Sequence, residues 1–122
     1  MDPILDSASA LRIAERQRGD VTVLALSGAM LVDDGDLLFR KRVHELIDAG
    51  RVKIVIDLGG VASIDSSGVG MMVAKLNAVR ASGGDVKLVH MTGRSLRLLV
   101  TMKILSVFET FDDEDAAVES FS

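Results

Sequence analysis

The chain has 122 residues, 48% of them hydrophobic, and a formal net charge of −4. This length predicts one domain with one continuous core. The lack of cysteine excludes disulfides, thiol catalysis and cysteine metal sites, and leaves His44 and His90 as imidazole ligands, so we expect no structural metal. The negative charge, without tryptophan or tyrosine, argues against nucleic acid as a partner.

The first ten residues predict a flexible leader. Residues 1–10 contain the single proline of the chain and show no clear periodicity. They lack the basic region and apolar core of a signal peptide, and no apolar run in the sequence approaches the roughly 20 residues of a membrane-spanning helix. We therefore expect a cytoplasmic protein without direct membrane insertion, whose single domain covers residues 11–122.

A β-hairpin is predicted at the start of the domain. Residues 11–18 alternate as an edge strand, Gly19-Asp20 supplies a turn, and residues 21–26 form a more buried strand. An apolar stretch follows at residues 29–32, either in an exposed loop or in the core. In an exposed loop it would mark an interface with a partner or with a second copy of the chain.

The following segment predicts the first helix. Asp33, Asp34 or Asp36 can cap it, because a short acceptor side chain satisfies free N–H groups at a helix start. Apolar residues then recur at helical spacing until Gly50, which is typical of a helix end. The hairpin is thus followed by a strand-to-helix alternation.

The stretch 54–70 organises the rest of the chain. Residues 54–58 are aliphatic and rich in β-branched side chains, which predicts a buried strand. Gly59-Gly60 predicts a connecting loop, and Asp65-Ser66-Ser67-Gly68 stands at the start of a helix over residues 66–82. The expected local structure is strand, loop, helix.

Strands and helices continue to alternate to the C-terminus. Residues 85–90 predict a strand, and Thr92 can cap a third helix. Residues 107–111 predict a short last strand, and the acidic run Asp112-Asp113-Glu114-Asp115 is typical of the start of a terminal helix. The whole pattern predicts an α/β domain with about four helices.

The first turn of the second helix carries two hydroxyls, on Ser66 and Ser67. Unpaired N–H groups and the positive end of the helix dipole favour a phosphate there. Helix capping by either Asp65 or Ser66 would explain one polar residue of the turn, but it does not require Ser67 as well. A nucleophile elbow, a dinucleotide pattern and a Walker-type loop are all absent from the sequence. The turn therefore predicts a serine that a partner enzyme modifies, in a protein that is not an enzyme and needs no cofactor.

A second face of this helix begins at the same hydroxyl. It contains small or apolar side chains and lies apart from the apolar stripe that predicts the core. It is a candidate docking surface; the alternative is that these side chains pack under a neighbouring loop or helix. The residues on this line are Ser67, Met71, Ala74, Lys75 and Ala78.

The segment Ile54-Val55-Ile56-Asp57-Leu58 … Ile64-Asp65-Ser66-Ser67-Gly68-Val69-Gly70 closely resembles the signature of the STAS domain, a fold shared by anti-sigma factor antagonists and sulfate-transporter tails. The resemblance extends over roughly residues 12–121 and includes Gly83-Gly84 and Val107-Phe108. It implies a mixed sheet that begins with an antiparallel hairpin and continues with parallel strands, packed with helices.

The resemblance also implies a mode of regulation. In the anti-sigma antagonist branch, a kinase that is also the anti-sigma factor phosphorylates the second serine of Asp-Ser-Ser-Gly, and a phosphatase reverses the reaction. That serine is Ser67 in this chain, with Ser66 as the second choice. The partner-binding residues expected on this basis are Asp65, Ser66, Ser67, Gly68, Gly70, Met71, Ala74, Lys75, Met30 and Asp33.

One departure from the family pattern leaves a second interpretation open. Family members commonly carry aspartate three residues after the glycine that ends the second strand; here Gly28 is followed at that spacing by Leu31, and acidic residues come later. A constitutive STAS scaffold, in a sensory or membrane-transport assembly without regulatory phosphorylation, is therefore the alternative to a phosphorylation-controlled antagonist. In the switch interpretation, Asp57 and Asp65 would strengthen the repulsion of a phosphorylated surface if their side chains face the same way.

Overall fold

Five strands form one mixed sheet in the computed structural model, which describes residues 11–31 and 34–122. The strands lie side by side in the order in which they occur in the sequence. The first two are antiparallel and every later neighbour is parallel. They are β1 (Arg12–Arg18), β2 (Val21–Met30), β3 (Lys53–Ile64), β4 (Asp85–Val89) and β5 (Glu109–Phe111).

Four α-helices accompany this sheet within the described ranges. They are α1 (Asp34–Asp48), α2 (Ser66–Ala81), α3 (Gly93–Thr101) and α4 (Glu114–Glu119). The first three are crossovers between parallel strands, and a right-handed crossover in a sheet of sequential order places them on one face. The predicted mixed α/β sheet with about four helices is confirmed. In the ranges that the structure describes, no helix combines the length and the apolar character that a membrane span requires.

The first face of the sheet carries the main core. Alternate strand residues such as Leu24, Ile56 and Leu88 point to it and are fully buried. Phe39 of α1 and Met72 of α2 pack against them with no exposed surface. Each fully buried side chain of this size contributes about 1.5–3 kcal/mol from the removal of apolar surface from water.

The second face is covered by α4 and is held partly by charge. Ala117 of α4 packs on a small buried cluster that includes Val55. Glu114 at the start of α4 forms ion pairs with Arg16 and Arg18 on β1. Burial raises the pKa of Glu114, but the hydrogen bonds from the two arginines lower it by more. The pKa of Glu114 therefore lies below its ordinary value of 4.5. This carboxylate is therefore stabilised in its charged form.

The prediction of a Gly59-Gly60 loop before the second helix is wrong, because β3 continues through both glycines to Ile64. Beyond Asp57, β3 pairs with β2, across two register irregularities. Gly60 fits there because a Cβ atom would lie 2.9 Å from the Leu26 carbonyl oxygen. Backbone pairing with β2 thus extends the strand where local sequence indicated a turn.

The second strand is also longer than predicted. β2 runs to Met30, so residues 29 and 30 belong to the sheet and not to an exposed loop. Met30 is fully buried and Leu31 is half-buried. Of the two alternatives for this apolar stretch, an exposed loop or the core, Met30 thus follows the second. Residues 107 and 108 precede β5 rather than starting it, since a short 3-10 helix occupies Leu105–Val107. The leader, residues 1–10, and Asp33 lie outside the described residues.

Candidate functional site

The ends of β2 and β3 lie next to each other and position the first turn of α2. Met30 is the register partner of Ile64, the last residue of β3, and α2 begins two residues later. The backbone of α2 passes so close to the end of β2 that a Cβ atom on Gly68 would overlap the Met30 carbonyl oxygen. Glycine at this position therefore lets the helix begin directly against the neighbouring strand.

Asp65 caps α2. Its backbone is extended (φ −118°, ψ 179°), and its Oδ1 atom accepts a hydrogen bond of 2.8 Å from the Gly68 amide. This is the geometry of an N-cap, in which a short side chain satisfies an N–H group that has no partner within the helix. Of the two capping candidates, Asp65 and Ser66, the structure selects the aspartate.

Ser66 and Ser67 are both exposed in the first turn of α2. Neither hydroxyl forms a hydrogen bond with another residue in the part of the chain that the structure describes. Since Asp65 already performs the capping, both serine side chains face solvent at the positive end of the helix dipole. The site thus presents two accessible hydroxyls with favourable electrostatics for an anion.

The surface beyond these serines carries small or uncharged side chains, and we call Ser67, Gly70, Met71 and Ala74 the Ser67 face. Gly70 and Ala74 are exposed and Met71 is half-buried. Nothing lies within 4 Å of the place where a Gly70 Cβ would be, so the helix is open to solvent there. A partner can reach the helix backbone at this position.

Lys75 and Met30 were predicted to contact a partner, but the structure turns both side chains inward. Lys75 is 9% exposed, and its Nζ atom lies 2.8 Å from Nε2 of His44 on α1. An α-helix turns about 100° per residue, so position 74 returns to the side of Ser67 while position 75 rotates towards α1. Met30 has no exposed surface, and Gly68 is also buried. Met30 and Lys75 therefore join elements of the fold.

Asp57 is not a neighbour of the phosphate-favouring turn. Its Oδ1 atom lies 3.1 Å from Nδ1 of His90 and accepts a hydrogen bond of 2.9 Å from the Gly59 amide. Seven residues of largely extended chain lie between Asp57 and Asp65, which corresponds to a separation of roughly 20–25 Å. Asp57 therefore does not join Asp65 in strengthening the repulsion of a phosphorylated surface.

The Asp57–His90 pair is a feature that the sequence analysis did not detect. The two residues are brought together because β3 pairs with β4, with Asp57 opposite Val89. His90 has a φ of 56°, in the left-handed region that non-glycine residues rarely adopt. Only the register between β3 and β4 indicates that Asp57 and His90 meet, and local sequence patterns do not specify that register.

The comparisons with known proteins agree with this geometry. The model of the STAS domain family matches residues 12–117, and the chain belongs to that family. A Thermotoga maritima protein, provisionally named as an anti-sigma factor antagonist, is 27% identical over 100 residues, which are 82% of this chain and 88% of that protein. The resemblance to the STAS domain is thereby confirmed.

Solved structures show the same architecture. The crystal structure of a Thermotoga maritima protein with the same provisional name has a TM-score of 0.82 and 28% identity, covering 88% of this chain and 92% of that one. An anti-sigma factor antagonist from Mycobacterium paratuberculosis has a TM-score of 0.77 and 17% identity, covering 91% and 93%. The unphosphorylated anti-sigma factor antagonist SpoIIAA has a TM-score of 0.69 and 16% identity, covering 89% and 96%. The last two likenesses concern the fold alone.

Proposed function

We propose that this protein is an anti-sigma factor antagonist that binds an anti-sigma factor with serine kinase activity and is switched off by phosphorylation of Ser67. The observation that carries the proposal is the division of roles in the first turn of α2. Asp65 caps the helix, so the exposed hydroxyl of Ser67 is not needed for the fold. A hydroxyl with no structural role in an open helix start suits a kinase that has to reach it.

The shape of the Ser67 face supports binding of the unmodified form. Gly70 leaves the helix backbone uncovered, while Met71 and Ala74 offer small or adaptable apolar contacts. These side chains carry no charge that a partner would have to desolvate. An accessible and uncharged patch of this kind fits a protein partner in the unphosphorylated state.

Phosphorylation would change the charge of this face without disturbing the helix. A phosphoserine adds about −1.5 to −2 charges at neutral pH. The helix start stabilises the phosphate through its free N–H groups and dipole, so α2 is expected to remain folded. The new charge opposes binding by desolvation and repulsion, and a serine phosphatase would restore the binding form.

The experiment is a binding titration against purified anti-sigma factor kinases encoded in the same genome. We expect Ser67→Asp to weaken binding by about 10-fold or more, equivalent to about 1.4 kcal/mol. Ser67→Ala should bind like the wild type and accept no phosphate from the kinase and ATP. The matched controls are Ser66→Asp and Ser66→Ala, which alter the adjacent exposed hydroxyl. Equal affinity of Ser67→Asp and wild type would contradict the switch.

Phosphopeptide mapping of the protein from its own cells separates the two interpretations left by the sequence. Phosphate on Ser67, with an occupancy that changes between growth and stress, supports the antagonist. Phosphate on Ser66 would move the switch by one residue. Unmodified Ser66 and Ser67 under all conditions would favour the constitutive scaffold, in which the turn serves the helix and its docking face alone.

A further inference from the structure

A second strand-end feature lies apart from the Ser67 face, at the carboxyl ends of β4 and β5. A cavity of about 350 Å³ opens there between the turn after β4 and the turn after β5. Open α/β sheets bind ligands preferentially outside the carboxyl ends of their parallel strands, and this volume is in the range of small-molecule sites. The cavity is lined by His90, Met91, Leu96, Thr110, Phe111 and Asp112.

His90 follows β4 and is held in place by contacts with β3. Its backbone is left-handed, with a φ of 56°, and Nδ1 lies 3.1 Å from Asp57 on β3. The backbone of Gly59 packs beside the pair: a Cβ there would lie 3.3 Å from His90 Cβ and 3.1 Å from Asp57 Oδ1. An uncommon backbone state that neighbouring residues maintain is a reason to look for a role of the side chain.

The polar atoms around the cavity are mainly acceptors. Nδ1 of His90 faces the Asp57 carboxylate at 3.1 Å, which favours the tautomer with the proton on Nδ1 and leaves Nε2 as an acceptor for a ligand. Asp112 adds a carboxylate and Thr110 adds a hydroxyl. Asp57 of β3 lies beside His90, Asp112 lines the same cavity, and the described lining includes no lysine or arginine. The site therefore favours a donor-rich, cationic group over an anion.

The other walls of the cavity are apolar. Leu96 of α3 is 41% exposed, which is high for a leucine in a helix that packs on a sheet. Phe111 and Met91 complete this side, and Phe111 belongs to the last strand of the sheet. A ligand with an apolar body can cover these side chains while its polar end reaches Asp112.

We propose that this cavity binds a small organic amine. Its ammonium group would donate to the Asp112 carboxylate and to Nε2 of His90, and its apolar body would pack on Leu96 and Phe111. This site is independent of Ser67 phosphorylation and of the proposed antagonist function. It would give the protein a way to sense a metabolite.

The test is an NMR titration of the full-length ¹⁵N-labelled protein with phenethylammonium. Phenylacetate, which carries a similar ring and the opposite charge, is the control ligand. We expect saturable shifts confined to the amides of residues 90–96 and 110–112, with a Kd of about 1 mM or lower for the amine. Phenylacetate should cause none. Absence of saturable shifts with phenethylammonium and with cyclohexylmethylammonium would overturn the proposal.

Substitutions identify the groups responsible. Asp112→Asn keeps the shape of the exposed side chain and should weaken amine binding by about 10-fold or more, since a charge-assisted hydrogen bond is lost. Asp48→Asn, an exposed aspartate at the end of α1, is the matched control and should bind like the wild type. Equal affinity of Asp112→Asn and wild type, or shifts spread over the acidic surface, would show non-specific attraction instead of a site.

Discussion

The β3–α2 and β4–α3 turns make the same connection by different means. Both leave the carboxyl end of a parallel strand and start a helix on the same face of the sheet. In the first, Asp65 caps α2 and the two serines that follow are exposed. In the second, Thr92 caps α3 by accepting from the Ser95 amide at 3.2 Å, and the Ser95 side chain is completely buried.

The difference shows which hydroxyls serve the fold. Thr92 and Ser95 lie within 3.1 Å of each other through their hydroxyl oxygens, so both belong to the structure of the turn. Ser66 and Ser67 have no such partner among the residues that the structure describes. Similar residue types at two helix starts therefore have different surroundings, and only the pair at α2 is left exposed at the surface.

The largest expected effect comes from Gly68, which fixes the distance between α2 and β2. Gly68→Ala places a Cβ atom onto the Met30 carbonyl oxygen, a backbone atom that cannot rotate away. We expect a loss of about 3 kcal/mol in the free energy of unfolding, because overpacking forces backbone shifts. Chemical denaturation measures this loss.

Gly70→Ala is the matched control for Gly68→Ala. The two glycines lie in the same helix, but nothing lies within 4 Å of a Gly70 Cβ. Alanine has the higher helix propensity, so Gly70→Ala should stabilise the protein by about 0.5–1 kcal/mol. If the two substitutions had the same effect, the close approach of α2 to β2 would not be the reason for glycine at position 68.

The two helix caps should differ in their contribution to stability. Asp65→Ala removes one hydrogen bond to the Gly68 amide, and we expect a loss of about 1 kcal/mol. Thr92→Ala also deprives the buried Ser95 hydroxyl of its partner, so the expected loss is larger, about 2 kcal/mol. Denaturation of both variants tests the order, and a larger loss for Asp65→Ala would contradict it.

The last pair of substitutions concerns two residues with left-handed backbone, His90 and Lys103, whose φ values are 56° and 60°. Lys103 follows α3, where its amide donates to the Val100 carbonyl at 3.0 Å, as in a helix-ending motif that favours glycine. We expect Lys103→Gly to stabilise the protein by about 1 kcal/mol, measured by thermal and chemical denaturation.

His90→Gly relieves the same strain and also removes the contact with Asp57. The gain should therefore be smaller than for Lys103→Gly, by up to about 1 kcal/mol, because one partly exposed polar contact is lost. Equal gains in the two variants would mean that the Asp57 contact adds nothing to stability, and that the left-handed His90 is not supported from β3.

Much of the fold follows from local patterns. The hairpin turn at Gly19, the aliphatic run at residues 54–58, the cap at Thr92 and the helix start in the acidic run at residues 112–115 all lie where the sequence predicts them, because each depends on residues close in the chain. The Asp-Ser-Ser-Gly turn was also located correctly at the start of α2. The STAS resemblance rests on the same local features.

The tertiary structure decided what depends on residues far apart in the chain. Pairing with β2 carries β3 through two glycines, and contact with α1 turns Lys75 inward to His44. Strand register brings Asp57 to His90, and the close passage of α2 over Met30 explains Gly68. The sequence alone thus determined the order of elements and the position of the serine turn. Strand pairing and helix packing determined which of the neighbouring side chains are exposed, because these contacts join segments that local patterns treat separately.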